Sequence, residues 1–227
     1  MFAAHTFTPG GETLPYRMDC PEEGAEDVPL ILFLHGAGER GADNEAQCRL
    51  GAPALAATCR NSGQPAIVVA PQCPADEMWA PVHSDWTGVE RRASPPAAQR
   101  LAVALVRELA ATHPVDPRRL YLTGLSMGGF GVWDTLWREP ELFAAALPIC
   151  GGGLPEEAPA MRAVPTWAFH GGRDPVVPVE QSRRMVAALE AAGSGVRYTE
   201  FPDAGHDIWD RVYRDPAVLD WLLAQRR

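Results

Sequence analysis

The sequence predicts a doubly wound α/β fold, with a mostly parallel central sheet and helices on both of its faces. Three observations carry that prediction. Short, almost wholly apolar runs recur along the chain; helical patterns lie between them; and the links joining the two kinds of segment are short. Strands that alternate with helices in this way pair in parallel through right-handed crossovers, which bury the strands on both faces. At 227 residues the chain is long enough for one substantial core, and one domain spanning residues 1–227 is the expectation.

The apolar runs in order are "PLILFLHG", "PAIVVAPQ", "RLYLTGLS", "AAALPICG" and "PTWAFHGG", each read as a strand buried on both faces. The N-terminal stretch containing His5 reads as a loose terminus. Residues 36–63 are less regular and hold a short helix around Gly51 to Cys59, and residues 72–96 have no clear period. Both segments follow strand ends, where open parallel sheets bind their ligands, so both are expected to rim a pocket. Residues 95–112 place Leu101, Leu105, Val106 and Leu109 at helical spacing, and "THPVDP" ends that helix. "GFGVWDTLWREP" is a second helix, "VEQSRRMVAALEAAG" a third closed by Gly193, and "DPAVLDWLLAQRR" a fourth whose last turn carries arginines.

Composition narrows the function classes. A net charge of −9 disfavours nucleic acid, because phosphate-binding surfaces draw their affinity from Lys and Arg. The arginine doublets are scattered and read as solvated surface. No apolar run approaches the length of a membrane span, and the start lacks a basic segment followed by an apolar core, so a soluble cytoplasmic protein with no membrane partner is expected. The five cysteines are odd in number and form no C-x-x-C pair. Reduced thiols and no metal site are the simpler reading, with a Cys48–Cys59 bridge the alternative in an oxidising compartment.

The chemistry concentrates in "YLTGLSMGGFGVW". Gly124-Leu125-Ser126-Met127-Gly128 matches G-x-S-x-G, a short pattern whose weight comes from context, since an apolar strand precedes it and a helix follows. A nucleophile held at a strained backbone angle leaves no room for side chains two positions before and two after it. Serine is a poor nucleophile without a base, and the base needs an acid to orient it. Later strand ends supply both, Asp174 after "PTWAFHGG" and His206 after "VRYTEF", in the order Ser126, Asp174, His206. His83 is the next candidate base, and Asp203 and Asp207 are the other acids near His206. His35 and His170, each before a glycine at a strand end, read as structural histidines bonding loop backbone. An oxyanion requires preset donors: the amide of Met127, and that of Ala37 in "HGAG", with Gly36 and Gly38 as competitors.

These residues resemble the serine esterase and predicted-peptidase branch of the α/β-hydrolase superfamily, near the polyhydroxybutyrate depolymerase and feruloyl esterase group. The carriers are "LFLHGAGERG", "VVAPQCP" with Trp79, "YLTGLSMGGFGVWD", "PICGGG", "FHGGRDPVVPV" and "YTEFPDAGHDIWDRVY", which together span most of the chain. The resemblance implies an α/β-hydrolase fold without a large lid, and hydrolysis of small carboxylic esters, or of amides as the rival, by Ser126, His206 and Asp174. It implies no cofactor or metal. Trp79, Trp86 and Trp209 are candidate rim aromatics for an aryl or sugar-linked ester, or packing residues. A non-catalytic binding protein on the same fold is the reading outside enzymology.

Overall fold

The computed structural model describes residues 1–21 and 25–227. Along the chain run β1 (Ala3–Phe7), β2 (Leu14–Asp19), β3 (Val28–Leu34), α1 (Ala52–Asn61), β4 (Ile67–Pro71), α2 (Ala97–Thr112) and β5 (Val115–Leu125). They are followed by α3 (Met127–Arg138), β6 (Ala145–Ile149), α4 (Ala158–Met161), β7 (Trp167–Gly171), α5 (Glu180–Ala191), β8 (Arg197–Phe201), α6 (Trp209–Tyr213) and α7 (Pro216–Ala224). The strands form one eight-stranded sheet in the order β1-β2-β4-β3-β5-β6-β7-β8. All neighbours from β4 to β8 are parallel, and β2 joins β1 and β4 antiparallel.

Alternation along the strands divides the apolar residues between two cores. Leu30, Leu32 and Leu34 of β3 face one, completed by Leu101 and Leu105 of α2, Trp133 and Leu136 of α3, and Met185 and Leu189 of α5. Ile31 and Phe33 face the other, with Leu55 and Cys59 of α1, Val212 and Tyr213 of α6, and Leu219 and Leu222 of α7. Helices therefore cover both faces, as the apolar runs predicted. Among the described residues, no helix is long and apolar enough to cross a membrane.

The local picture changes at the two ends of the chain. The N-terminal stretch is the β1–β2 hairpin, and His5 stacks on Tyr16 across it with ring centroids 5.1 Å apart, so it is not a loose end. "THPVDP" ends the helix as expected, α2 stopping at Thr112, and β5 follows at once from Val115, pairing with β3 through a register shift between Val28 and Leu30. α7 is capped by Asp215, whose carboxylate accepts from the Ala217 amide at 2.9 Å ahead of Pro216, yet it stops at Ala224. The arginines expected in its last turn lie beyond it, and Arg226 reaches back to Asp116 at 3.1 Å. The short helix α6 had no periodic signal, being one turn long.

β5 is the strand on which the site is mounted, flanked by β3 and β6. Leu122, at its middle, is fully buried. Replacing it with Ala leaves a cavity between the sheet and α2 and is expected to lower unfolding free energy by about 2–5 kcal/mol, as measured by urea denaturation.

Candidate active site

β5 ends at Leu125, and α3 begins at Met127, so Ser126 alone makes the turn between them. Its backbone adopts φ 55° and ψ −118°, a conformation costly for any residue with a side chain. The glycines around it are required by contact. A Cβ on Gly124 would stand 2.6 Å from the Gly128 carbonyl oxygen, and one on Gly128 only 1.9 Å from that of Leu34. The helix thus starts in contact with the end of β3, and the serine hydroxyl stands at the carboxyl edge of the sheet.

The structure brings Asp174 and His206 to that hydroxyl. His206 Nε2 lies 2.9 Å from Ser126 Oγ, and His206 Nδ1 lies 2.6 Å from Asp174 Oδ2. Asp174 occupies the turn after β7, its side chain without solvent contact. Burial acts to raise its pKa, but hydrogen bonds from His170 and His206 and from the amides of Val177 and Val176 outweigh it. They hold the carboxyl well below the ordinary range. Its Oδ1 takes the Val176 and Val177 amides at 2.8 and 2.9 Å, which fixes the carboxylate plane. His206 lies in the turn after β8, its carbonyl accepting from the Cys150 thiol at 3.3 Å. Burial, followed by the neighbouring Asp174 charge, keeps that thiol protonated far above its usual pKa.

The turn after β3 packs against the serine. A Cβ on Gly36 would lie 3.7 Å from that of Ser126 and 2.9 Å from Glu39 Oε2. Residues Ala37–Glu39 form one turn of 3-10 helix, and Met127 is the first residue of α3, so neither the Ala37 nor the Met127 amide has an intrahelical acceptor. Glu39 is buried, and burial pushes its pKa up against the opposing amide of Gly36.

His35 locks this turn from below, as expected of a histidine bonding loop backbone. Its Nε2 accepts from the Cys73 amide at 2.9 Å, so the proton sits on Nδ1 and is donated to the Gly36 carbonyl at 2.6 Å. His170 does more than that reading allowed, since it contacts Asp174 itself, its Nε2 3.2 Å from Oδ2. The one signal in the sequence was the spacing His-x-x-x-Asp across the turn. His83, the second candidate base, is exposed in the 72–96 loop. Asp203 pairs with Arg173 at 2.6 Å instead of with His206.

Of the three rim tryptophans, Trp79 is corrected. It is fully buried, its indole N–H donating to the His35 carbonyl at 3.0 Å, and it packs under α3, where Gly131 leaves it room. A ring that large is worth more as loop anchor than at the surface. Trp86 and Trp209 are half-buried. Trp209 meets the His206 ring edge-on, with centroids 5.5 Å apart. Trp86 rests on Phe130 of α3 at 5.9 Å with a left-handed φ of 60°. Its loop is held by Gln181 and Arg184 of α5, which donate to the Thr87 carbonyl at 2.6 and 3.2 Å.

Cys150, His170 and Asp174 are the group of potential metal ligands found among the described residues, their donor atoms within 4.8 Å of one another. Their atoms are engaged by hydrogen bonds, and the imidazole presents Nε2 to a carbonyl and a carboxylate, an arrangement that suits an N–H more than a metal. All five cysteines are free, so Cys48 and Cys59 are not bridged.

The sheet order, the turn at Ser126 and the profile of the phospholipase/carboxylesterase family, which matches residues 19–217, agree. The chain belongs to that family, and its fold is the α/β-hydrolase fold. A thermostable esterase of known structure superposes with a TM-score of 0.91 at 38% identity, covering 100% of this chain and 63% of its own. Esterase LipC of Mycobacterium tuberculosis is 42% identical over 90 residues, 38% of this chain and 21% of LipC. Esterase YpfH of Escherichia coli is 29% identical over 140 residues, 61% of this chain and 59% of YpfH. The chain thus spans less than two thirds of the length of each of these three family relatives.

Burial lowers the pKa of His35 from its usual 6.5 to about 4, with the Arg40 charge adding to the effect and the Gly36 carbonyl opposing it. The unfolded chain therefore binds a proton near pH 6.5 that the folded chain refuses until about pH 4. The stability this group contributes is intact above pH 6.5 and is lost as pH falls towards 4, by about 3 kcal/mol in all. Urea unfolding of the native chain and of His35→Gln between pH 7.5 and 4 checks this. The variant is expected to show the flatter pH dependence.

Proposed function

We propose that this chain hydrolyses carboxylic esters through a covalent acyl-enzyme, with Ser126 as nucleophile, His206 as general base and acid, and Asp174 as the group that orients His206. The observation that carries the reading is the unbroken sequence of hydrogen bonds from Ser126 Oγ through His206 to Asp174 Oδ2, at 2.9 and 2.6 Å. Membership in a carboxylesterase family and the esterase names of its relatives support ester over other acyl substrates.

The steps follow from these positions. Ser126 Oγ attacks the ester carbonyl carbon while its proton passes to His206 Nε2, and the carbonyl electron pair moves onto oxygen. The amides of Met127 and Ala37 receive that oxyanion; one such donor is worth about 3 kcal/mol in the transition state. Asp174, ionised and accepting from Nδ1–H, stabilises the imidazolium. Collapse of the tetrahedral intermediate breaks the bond to the alcohol, which leaves with the proton from Nε2. Water then repeats the sequence on the acyl-enzyme and releases the acid and free Ser126.

Trp209, beside His206, and Trp86, over Phe130, are the aromatic surfaces next to this path. We assign them to substrate groups of short acyl or aryl esters. Trp79 supports the floor and touches no substrate.

Ser126→Ala is expected to lower turnover of p-nitrophenyl acetate by at least roughly a thousandfold with the melting temperature preserved. Fluorophosphonate labelling followed by mass spectrometry should mark Ser126 in the native chain and nothing in the variant. Wild-type rates in the variant would overturn the reading. Turnover of a peptide amide matching that of its ester would reassign the substrate class.

A further inference from the structure

His170 is a titratable side chain in contact with the proposed site that none of the steps above uses. It lies on β7, on the face covered by α5, with no solvent contact. Its Nε2 is 3.0 Å from the Val177 carbonyl and 3.2 Å from Asp174 Oδ2. Both partners accept and neither donates, so Nε2 carries a hydrogen in every state compatible with this geometry. Its Nδ1 is 2.7 Å from Ser182 Oγ, which also lies 2.9 Å from the Gly151 carbonyl. The hydroxyl has one proton and two takers. If it goes to Gly151, Nδ1 is protonated as well; if it goes to Nδ1, the ring is neutral. The N–H towards Asp174 survives in both cases.

Asp174 Oδ2 is therefore divided between two imidazoles, His206 at 2.6 Å and His170 at 3.2 Å. We propose that His170 is a positioning residue for the acyl-transfer site, whose Nε2–H holds Oδ2 in place and withdraws part of its charge from His206, thereby setting where activity falls off in acid. This rests on the triad reading above.

Among the groups around His170, Asp174 is the carboxylate within hydrogen-bond distance of its ring, while Glu200 acts on it only through its charge. Cys150, at the end of β6, stays a neutral thiol. Glu200 is the register partner of His170 on β8, but its carboxylate is held by Arg183 of α5 at 2.9 and 2.7 Å and by the Tyr198 hydroxyl at 2.9 Å. α5 presents Ser182 to the ring. With the His170 donor removed, the full charge of Oδ2 acts on His206, favours its imidazolium and keeps the base protonated to higher pH. The acid limb of kcat/KM then moves up.

Two polar replacements separate the two ends of the ring. The amide of Gln reaches the position of Nε2 and can donate to Asp174, while that of Asn reaches the position of Nδ1 and contacts Ser182 alone. The measurement is the pH profile of p-nitrophenyl acetate hydrolysis for the native chain, His170→Asn and His170→Gln. Rates are normalised to sites titrated by a fluorophosphonate, so partial misfolding does not enter. In His170→Asn the acid midpoint is expected to rise by about half a pH unit, a threefold change in the protonation equilibrium, with kcat reduced and KM unchanged. His170→Gln is expected to keep the native midpoint. Equal midpoints in the native chain and His170→Asn, or equal shifts in both variants, would overturn the proposal. Turnover that survives in Ser126→Ala would instead overturn the reading beneath it.

Discussion

The structure depends on one close contact, the first turn of α3 lying against the end of β3. Gly128 has no space for a Cβ because the Leu34 carbonyl occupies it, and Gly124 is closed off by the Gly128 carbonyl in turn. With helix and strand this near, the chain between them has a single residue in which to reverse, and Ser126 takes a backbone conformation that only surrounding packing can maintain. The consequence is chemical. The hydroxyl is held at the carboxyl edge of the sheet, at the start of α3. The same contact brings the turn after β3 into van der Waals range of the serine.

A second constraint is the cost of a buried carboxylate. Asp174 has no solvent to stabilise it and is kept ionised by four N–H donors, two from backbone and two from histidines. Two amides fix one oxygen, and the other is shared. An acid held this rigidly cannot follow His206, so His206 must be brought to it, which the turn after β8 and the Cys150 thiol do from the backbone side.

Much of this was legible in the sequence. The five apolar runs appear as β3 to β7, because strands buried on both faces have no polar residues to confuse the pattern. Ser126, Asp174 and His206 were legible because Ser126 follows β5 directly and the other two stand in the short turns after β7 and β8, so the sheet fixes where each emerges. β1 and β2 were not, since an edge hairpin with one face in solvent mixes polar and apolar residues over a few positions. Trp79 was misplaced for a different reason: a loop's sequence says that an aromatic ring will pack, but its depth depends on Gly131 in a helix far along the chain. His170 was read as bonding loop backbone, and it does meet the Val177 carbonyl, yet its contact with Asp174 requires the two to face each other across a turn, which spacing alone does not specify.

The loops that shape the approach to Ser126 are tied to the same elements that hold it. Segment 72–96 is fastened at Cys73 and Trp79 to His35, the residue after β3, and at Glu77 to the first turn of α2 through the Ala98 amide. Its far end is held at Thr87 by Gln181 of α5, whose neighbour Ser182 bonds His170. The wall carrying Trp86 and the clamp on Asp174 thus share one helix. A substitution that moves α5 by a fraction of an ångström is felt at both, so substrate fit and the orientation of His206 cannot be altered independently from that side. On the opposite side Trp209 leans on His206 directly. Changes confined to residues 83–86 and 88–89, whose side chains carry neither anchor, are the ones that can reshape this loop while leaving the hydrogen-bonded core of the site in place.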